Sequence, residues 1–492
     1  MGRLKVNDFY IYRWRYPIGF TLMGALLILV LFVVGFLVPN GLSKLEMASV
    51  VTSVHTPPNV IQGVSPENVQ HLPYHILQKL SIMAFGFNQL AIKLPALVMA
   101  FCSILMLYGV VRLWFKRNTA IITSLIAVTS GQFLLLAQLG TPSISYIFWS
   151  AALLFFTSML ARAKKFRPIW LIGAMIIGGL SLYSPLMVYV LLALGLTSIL
   201  HPHARFVIFR ESPIVLALGL CIFLLMAAPL ALSLIASPHL GLQLLGIPSD
   251  LSALSWSHIL ALLGDYIGFI QPTSGEVIRP AYSLAVLLIA LIGIIRLFTA
   301  KYTAKSYILS IWFLCLIPIL ALQNSITSFT FIPVVLLVAF GIDYLIQGWY
   351  SLFPHNPYAR VVGILPLSVL VFGITFSGLE RFVYGYHYSS EASQSFSRDL
   401  SKVDQAIRDT GDRRITLIVP ASEKKFFTTY ATSLKNSAKP VITDKPPQTV
   451  KPDEIVIASR EFIAANTPPS EILVSSAGES ANRFYLYKNG YN

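Results

Sequence analysis

The sequence is poor in charge, poorer in acid and nearly free of cysteine. Only 12% of its 492 residues are Asp, Glu, Lys or Arg, about half the share usual in soluble globular chains (~25%). Beside 55% hydrophobic residues and a mean hydropathy of +0.71, that deficit excludes an ordinary soluble enzyme. The three cysteines, Cys102, Cys221 and Cys315, all fall in apolar runs. They read as small buried hydrophobes rather than disulfide partners or metal ligands. The chain lacks internal repeats and low-complexity tracts, and its last hundred or so residues lack a glycine-rich phosphate loop, a nucleophile elbow and metal-ligand spacing. No cleavable signal peptide is expected, because the first apolar run (18–38) is too long for one and no small-residue cleavage site follows.

Acid is scarcest where the chain is most apolar. Residues 1–379 hold 8 Asp or Glu against 21 Lys or Arg, whereas residues 380–492 hold 13 against 15. Of the net charge of +15, +13 therefore belongs to the apolar part and +2 to the tail. There the basic residues cluster between apolar runs, as membrane topology requires, so no nucleic-acid partner is expected.

What the chain does have is long apolar runs, several beyond the roughly 18 residues that mark a membrane helix. Backbone groups in lipid must bond internally, so these runs are helices. The expected spans are 18–38, 93–113, 119–137, 143–161, 168–183, 184–200, 214–235, 281–299, 306–322, 329–347 and 361–379. The fifth and sixth are separated only by Tyr183-Ser184-Pro185 and could form one bent pair. With the N-terminus inside, 17 basic residues face the cytoplasm and four, Lys44, Lys79, Lys93 and Arg279, face outward. That split follows the positive-inside rule. An odd number of spans leaves the tail outside. The fold class read from the sequence is an α-helical polytopic membrane protein of the cell membrane. Residues 1–379 form the membrane domain and 380–492 a small extracytoplasmic α/β domain. Its strand-like runs are 413–420, 440–443, 454–459, 471–476 and 483–489, with a helix-like stretch at 422–436.

Two outer loops are long, 39–92 and 236–280. The second contains SALSWSHILALLGDYIGF, which reads as a short interfacial helix. A loop as long as the first, lying against a bilayer, usually has a job. Of the eight acidic residues before 380, Asp8, Glu211 and Asp343 fall on the cytoplasmic side, and Glu46, Glu67, Asp250, Asp265 and Glu276 outside. A carboxylate at the outer surface can take the proton of a hydroxyl or amine acceptor. Glu46, just beyond the first span, is the best placed; a solvated loop glutamate is the plain alternative. His55, His71 and His75 share the first loop with Lys79, and such residues can hold a phosphate. His71 and His75 are four apart and could share a helix face, but no third metal ligand is visible. Gln138, Thr141 and Ser143 form a tight outer turn, for which ordinary turn chemistry suffices.

The order of these features is informative: one span, an outer acid, HLPYHILQKLS, FGFNQLAIKLPAL, a span ending RLWFKRN, and the turn LGTPSISYIFW. It resembles the GT-C fold membrane glycosyltransferases, in particular the protein O-mannosyltransferase and aminoarabinose transferase branch, over roughly residues 15–200. The resemblance implies transfer of a sugar from a polyprenyl-phosphate carrier to an acceptor protein, lipid or glycan on the outer face. It implies inversion, no nucleotide and no redox cofactor. Glu46 falls where the family has an acidic pair acting as base, although here the pair reads Leu45-Glu46. Lys93 takes the place of the usual arginine, and His71 stands near a basic residue that can meet carrier phosphate. Ser143 and Gln138 replace a frequent aspartate and arginine. With Lys79 and Arg279, His71 and Lys93 form the expected phosphate contacts; Asp250, Asp265 and Glu276 are reserve carboxylates. An inactive relative that binds carrier or scaffolds the envelope, and a transporter or flippase, are the alternatives.

Overall fold

The structure is a computed structural model. It describes residues 41–56, 68–163, 165–248, 264–267, 278–299, 302–322, 327–353, 363–387, 400–410, 414–434, 439–445, 454–464, 467–474 and 483–488, besides Thr21, Gly24, Ile28 and Leu260. Apart from Thr21, Gly24 and Ile28 the expected first span lies outside these residues, as do Glu67, Asp250 and Glu276.

The first outer loop is helical where described. Helices α1 (Lys44–His55) and α2 (Leu72–Phe85) run into α3 (Gln89–Trp114). Then follow α4 (Arg117–Val128), α5 (Gly131–Gln138), α6 (Ile144–Arg162), α7 (Arg167–Ser181), α8 (Met187–Leu200), α9 (Pro202–Phe209), α10 (Pro213–Ala236) and α11 (His239–Leu244). Helices α12 (Leu284–Thr299), α13 (Ala304–Leu322), α14 (Thr327–Leu352) and α15 (Ile364–His387) complete the apolar part. The expected spans after the first fall on apolar helices, 119–137 on two of them, α4 and α5, so the ten do not each correspond to one helix. Among the described residues, five helices are long and apolar enough to cross a bilayer alone, or up to eight spans if each bent pair is one. One such pair is α4 and α5, bent by 60° at Thr129-Ser130. Gly378 of α15 lies against this break, where a Cβ would run into the carbonyl oxygen of Thr129. The division placed at 379/380 cuts through α15, which continues to His387.

Beyond α16 (Leu400–Thr410) the strand-like runs form one five-stranded sheet: β1 (Arg414–Ile418), β2 (Val441–Thr443), β3 (Glu454–Ser459), β4 (Glu471–Val474) and β5 (Arg483–Tyr487). The order is β2-β1-β3-β5-β4, with β1 parallel to β2 and β3, and β5 antiparallel to β3 and β4. Helix α17 (Ala421–Ser433) is the crossover between the parallel strands β1 and β2.

This unit is not a free appendage. Leu42, Met47, Val50, Ile82 and Ile92 share one apolar cluster with Leu400, Val403, Ile415, Leu417, Phe426, Phe427 and Tyr430. Phe87, at the corner between α2 and α3, packs on Phe426 at 5.6 Å and on Tyr430 at 5.5 Å between ring centroids. The C-terminal unit thus packs directly on the described part of the first loop. Phe87→Ala is expected to loosen this seam by about 2–3 kcal/mol, below the range for a fully buried phenylalanine. Limited proteolysis should then release a C-terminal fragment sooner than in the wild type.

Candidate active site

Glu46 is the third residue of α1, and its carboxylate is fully buried. Ser43 and Glu46 form a capping box. Ser43 N–H donates to Oε2 at 2.7 Å, and Glu46 N–H donates to Ser43 Oγ at 3.1 Å. The other carboxylate oxygen, Oε1, accepts Gly140 N–H at 2.7 Å and faces Lys93 Nζ at 3.5 Å. Lys93, also buried, donates to Gly41 O at 3.0 Å. Each carboxylate oxygen thus has a backbone N–H partner, with Lys93 beside Oε1. Glu46 pins α1 to α3 and to the turn after α5. Burial explains why it has this role, since an ionised carboxylate leaves water only when paired and bonded.

The same turn is held from its other side. Gln78 of α2 donates from Nε2 to Gly140 O at 2.8 Å and to Ile92 O at 3.1 Å. Two carbonyl partners fix the amide, so its Oε1 is the acceptor. That oxygen lies 2.9 Å from Ser49 Oγ and 2.6 Å from Ser53 Oγ, both on α1. Ser53 Oγ also approaches Ser49 O at 2.8 Å and His75 Nδ1 at 2.8 Å. His71, His75 and Gln78 are spaced i, i+4 and i+7, a polar stripe that could have flagged Gln78 as well as the histidines.

The other expected residues separate into groups. Lys79 donates to Val54 O at 3.2 Å and Thr56 O at 2.5 Å, at the C-terminal end of α1 where a cation is favoured. No carboxylate among the described residues pairs with it. His55 is exposed and bonds Val51 O of its own helix at 2.8 Å. His71, in a left-handed backbone conformation before Leu72-Pro73, meets Tyr146 edge-on at 5.4 Å. Burial, reinforced by neighbouring His75, lowers its pKa to about 3. Burial lowers that of His75 to about 4. Burial thus favours the neutral form of both rings, which keeps one N–H to offer an oxygen acceptor. Gln138 ends α5, buried, and Ser143 precedes α6. Arg279 belongs to a second cluster, paired to buried Asp265 at 2.6 Å. Beside it, Ile278 N–H donates to Gln132 Oε1 at 2.9 Å, and Tyr266 Oη meets Thr330 Oγ1 at 2.5 Å. Lys93 and Arg279 are thus already neutralised by carboxylates. Among the described residues no three His, Cys, Asp or Glu gather as a metal site.

Residues 72–232, which carry α2 through most of α10, match the family model for dolichyl-phosphate-mannose-protein mannosyltransferase. The whole architecture matches ArnT from Cupriavidus metallidurans. In the form bound to undecaprenyl phosphate the TM-score is 0.51 at 12% identity, over 95% of this chain and 98% of that one. The fold is GT-C. Apo ArnT gives 0.50 at 13% identity over 96% and 98% of the two chains. The Archaeoglobus fulgidus oligosaccharyltransferase, tethered to an acceptor peptide containing the NVT sequon, gives 0.51 at 13% over 89% of this chain and 61% of that one. No curated protein sequence matches the chain. The chain is thus a GT-C fold membrane protein resembling the protein mannosyltransferase and aminoarabinose transferase branch.

Proposed function

We propose that this protein is a membrane glycosyltransferase that moves a sugar from a polyprenyl-phosphate carrier to an acceptor on the outer face. The carrying observation is that the family match at residues 72–232 takes in α2, α3 and the Gly140 turn, against which α1 completes the buried polar cluster, within a GT-C fold. The carrier's tail would lie among the apolar helices and its phosphate beside α2. Lys79 is the cation for that phosphate, because among the described residues no carboxylate pairs with it, whereas Lys93 and Arg279 are paired and burial favours neutral His71. The acceptor oxygen would attack the anomeric carbon opposite the departing phosphate, inverting it in one displacement. The basic-residue split assigns the N-terminus to the cytoplasm, and the first loop and sheet to the outside.

One observation favours a second reading, a GT-C relative that binds carrier without turnover. Each carboxylate described before residue 380 is engaged: Glu46 as above, Asp265 by Arg279, Glu211 by Arg167 at 2.9 Å, and Asp343 by Gln347 at 2.6 Å. Full-length protein in lipid nanodiscs, given radiolabelled mannosyl- and glucosyl-phosphopolyprenols, separates the two. Loss of sugar from the carrier is the expected result. Saturable carrier binding, with no sugar released to water or to any added acceptor, would establish the second.

A further inference from the structure

The end of the helices remote from Glu46 carries a surface that suits neither water nor the bilayer core. The turn that leads into α8 lies beside α2, where Tyr183 O accepts His71 N–H at 2.8 Å. The 14 residues of α8 rise about 21 Å, so Leu200 lies at the opposite membrane face. The basic-residue split assigns that face to the cytoplasm. There the chain turns by 91° into α9. Helix α9 therefore runs along the membrane plane where α8 runs through it.

Three anchors hold α9 in that direction. His201 Nδ1 accepts Ala204 N–H at 3.4 Å, which leaves Nε2–H to donate to Tyr302 O at 3.2 Å. Arg167 Nη2 donates to Val207 O at 2.9 Å, and its Nε pairs with Glu211 at 2.9 Å. Val207 itself is buried with Leu160 and Leu171. Helical spacing puts Arg205, Phe206 and Phe209 on the face opposite Val207. Phe206 is 61% exposed and Phe209 78%. Arg205 and Arg210 are exposed, and so are Arg162, Lys165 and Phe166 on the neighbouring turn between α6 and α7. No carboxylate pairs with these four cations among the described residues, and nearby Glu211 is taken by Arg167.

Exposed phenylalanine rings are unfavourable in water, and arginine is unfavourable in hydrocarbon. The boundary between acyl chains and headgroups satisfies both, with rings in the acyl region and guanidinium groups level with the phosphates. We propose that α9 and the α6–α7 turn form a docking surface for anionic phospholipid of the inner leaflet. Phe206 and Phe209 are the apolar anchors. Arg205 and Arg210, with Arg162 and Lys165 beside them, select the headgroup charge, because an anionic lipid supplies the counter-charge that the protein does not. The surface lies across the membrane from the Glu46 cluster, so the inference stands apart from the transferase reading.

The test places the photocrosslinker p-benzoylphenylalanine at Phe209. A control protein carries it at Leu225, which is 64% exposed and lies mid-way along α10. Each full-length protein is reconstituted in nanodiscs of equimolar phosphatidylglycerol and phosphatidylcholine and irradiated. Mass spectrometry identifies the captured lipid. Capture at Leu225 should follow the bilayer composition. At Phe209 phosphatidylglycerol should exceed phosphatidylcholine by roughly fivefold for each arginine engaged, and raised salt should compress that excess. Arg205→Gln combined with Arg210→Gln should return the ratio to that of the control, in protein that still elutes monodisperse. Equal capture of the two lipids at Phe209, or crosslinks to protein alone, would overturn the proposal. So would a phosphatidylglycerol excess that survives the loss of both arginines.

Discussion

Glu46→Ala is expected to destabilise the protein by about 3–5 kcal/mol, the cost of removing one partner from a buried ion pair. The substitution leaves Lys93 buried without its counter-charge. It also removes the capping acceptor for Ser43 N–H and the acceptor for Gly140 N–H. Thermal unfolding of detergent-solubilised protein, followed by the loss of monodisperse material, reads the effect. The double variant Glu46→Ala, Lys93→Met should recover much of the loss, because it removes the stranded charge with its partner. A base with no structural role would behave differently: Glu46→Ala would unfold like the wild type and only lose turnover. Glu46→Gln should fall between, since the amide oxygen can still accept from Gly140 while the charge is gone.

Gly341→Ala is expected to disrupt the packing of α12 on α14. A Cβ at Gly341 would run into the carbonyl oxygen of Ile289, and a Cβ at Gly293 into that of Leu337. The two helices are thus in backbone contact through a reciprocal pair of glycines, the small-residue packing that lets membrane helices approach closely. Backbone cannot step aside as a side-chain tip can, so the helices must separate. The cost should reach the upper end of the ~1–3 kcal/mol typical of overpacking. Gly341→Leu should prevent recovery of folded protein. Gly195→Ala is the control: it lies in α8 with open space where its Cβ would go, and should be tolerated. Monodisperse yield after extraction separates the three variants.

The sequence by itself determined the class of this protein. Apolar runs longer than a bilayer needs can satisfy their backbones only as helices, which is a local constraint. The five strand-like runs became five strands for a similar reason, since alternation and flanking turns are short-range signals. Even the capping box is written in Ser43-Lys44-Leu45-Glu46, a pattern that the reading of 39–92 as a loop passed over. Tertiary structure alone decided what the polar side chains do. Glu46 meets Gly140, 94 residues away, and Gln78 meets the same residue from 62 away. Lys93 was an expected phosphate contact because its charge is visible in the sequence and its neutralising partner is not. The same holds for Arg279 and Asp265. Nor could spacing reveal that Phe87 docks the C-terminal unit onto the first loop, or that Ser53 lies between Gln78 and His75. Periodicity records which face of an element is buried. The partner of a buried charge depends on which distant segment the packed chain brings beside it, and on water being excluded there.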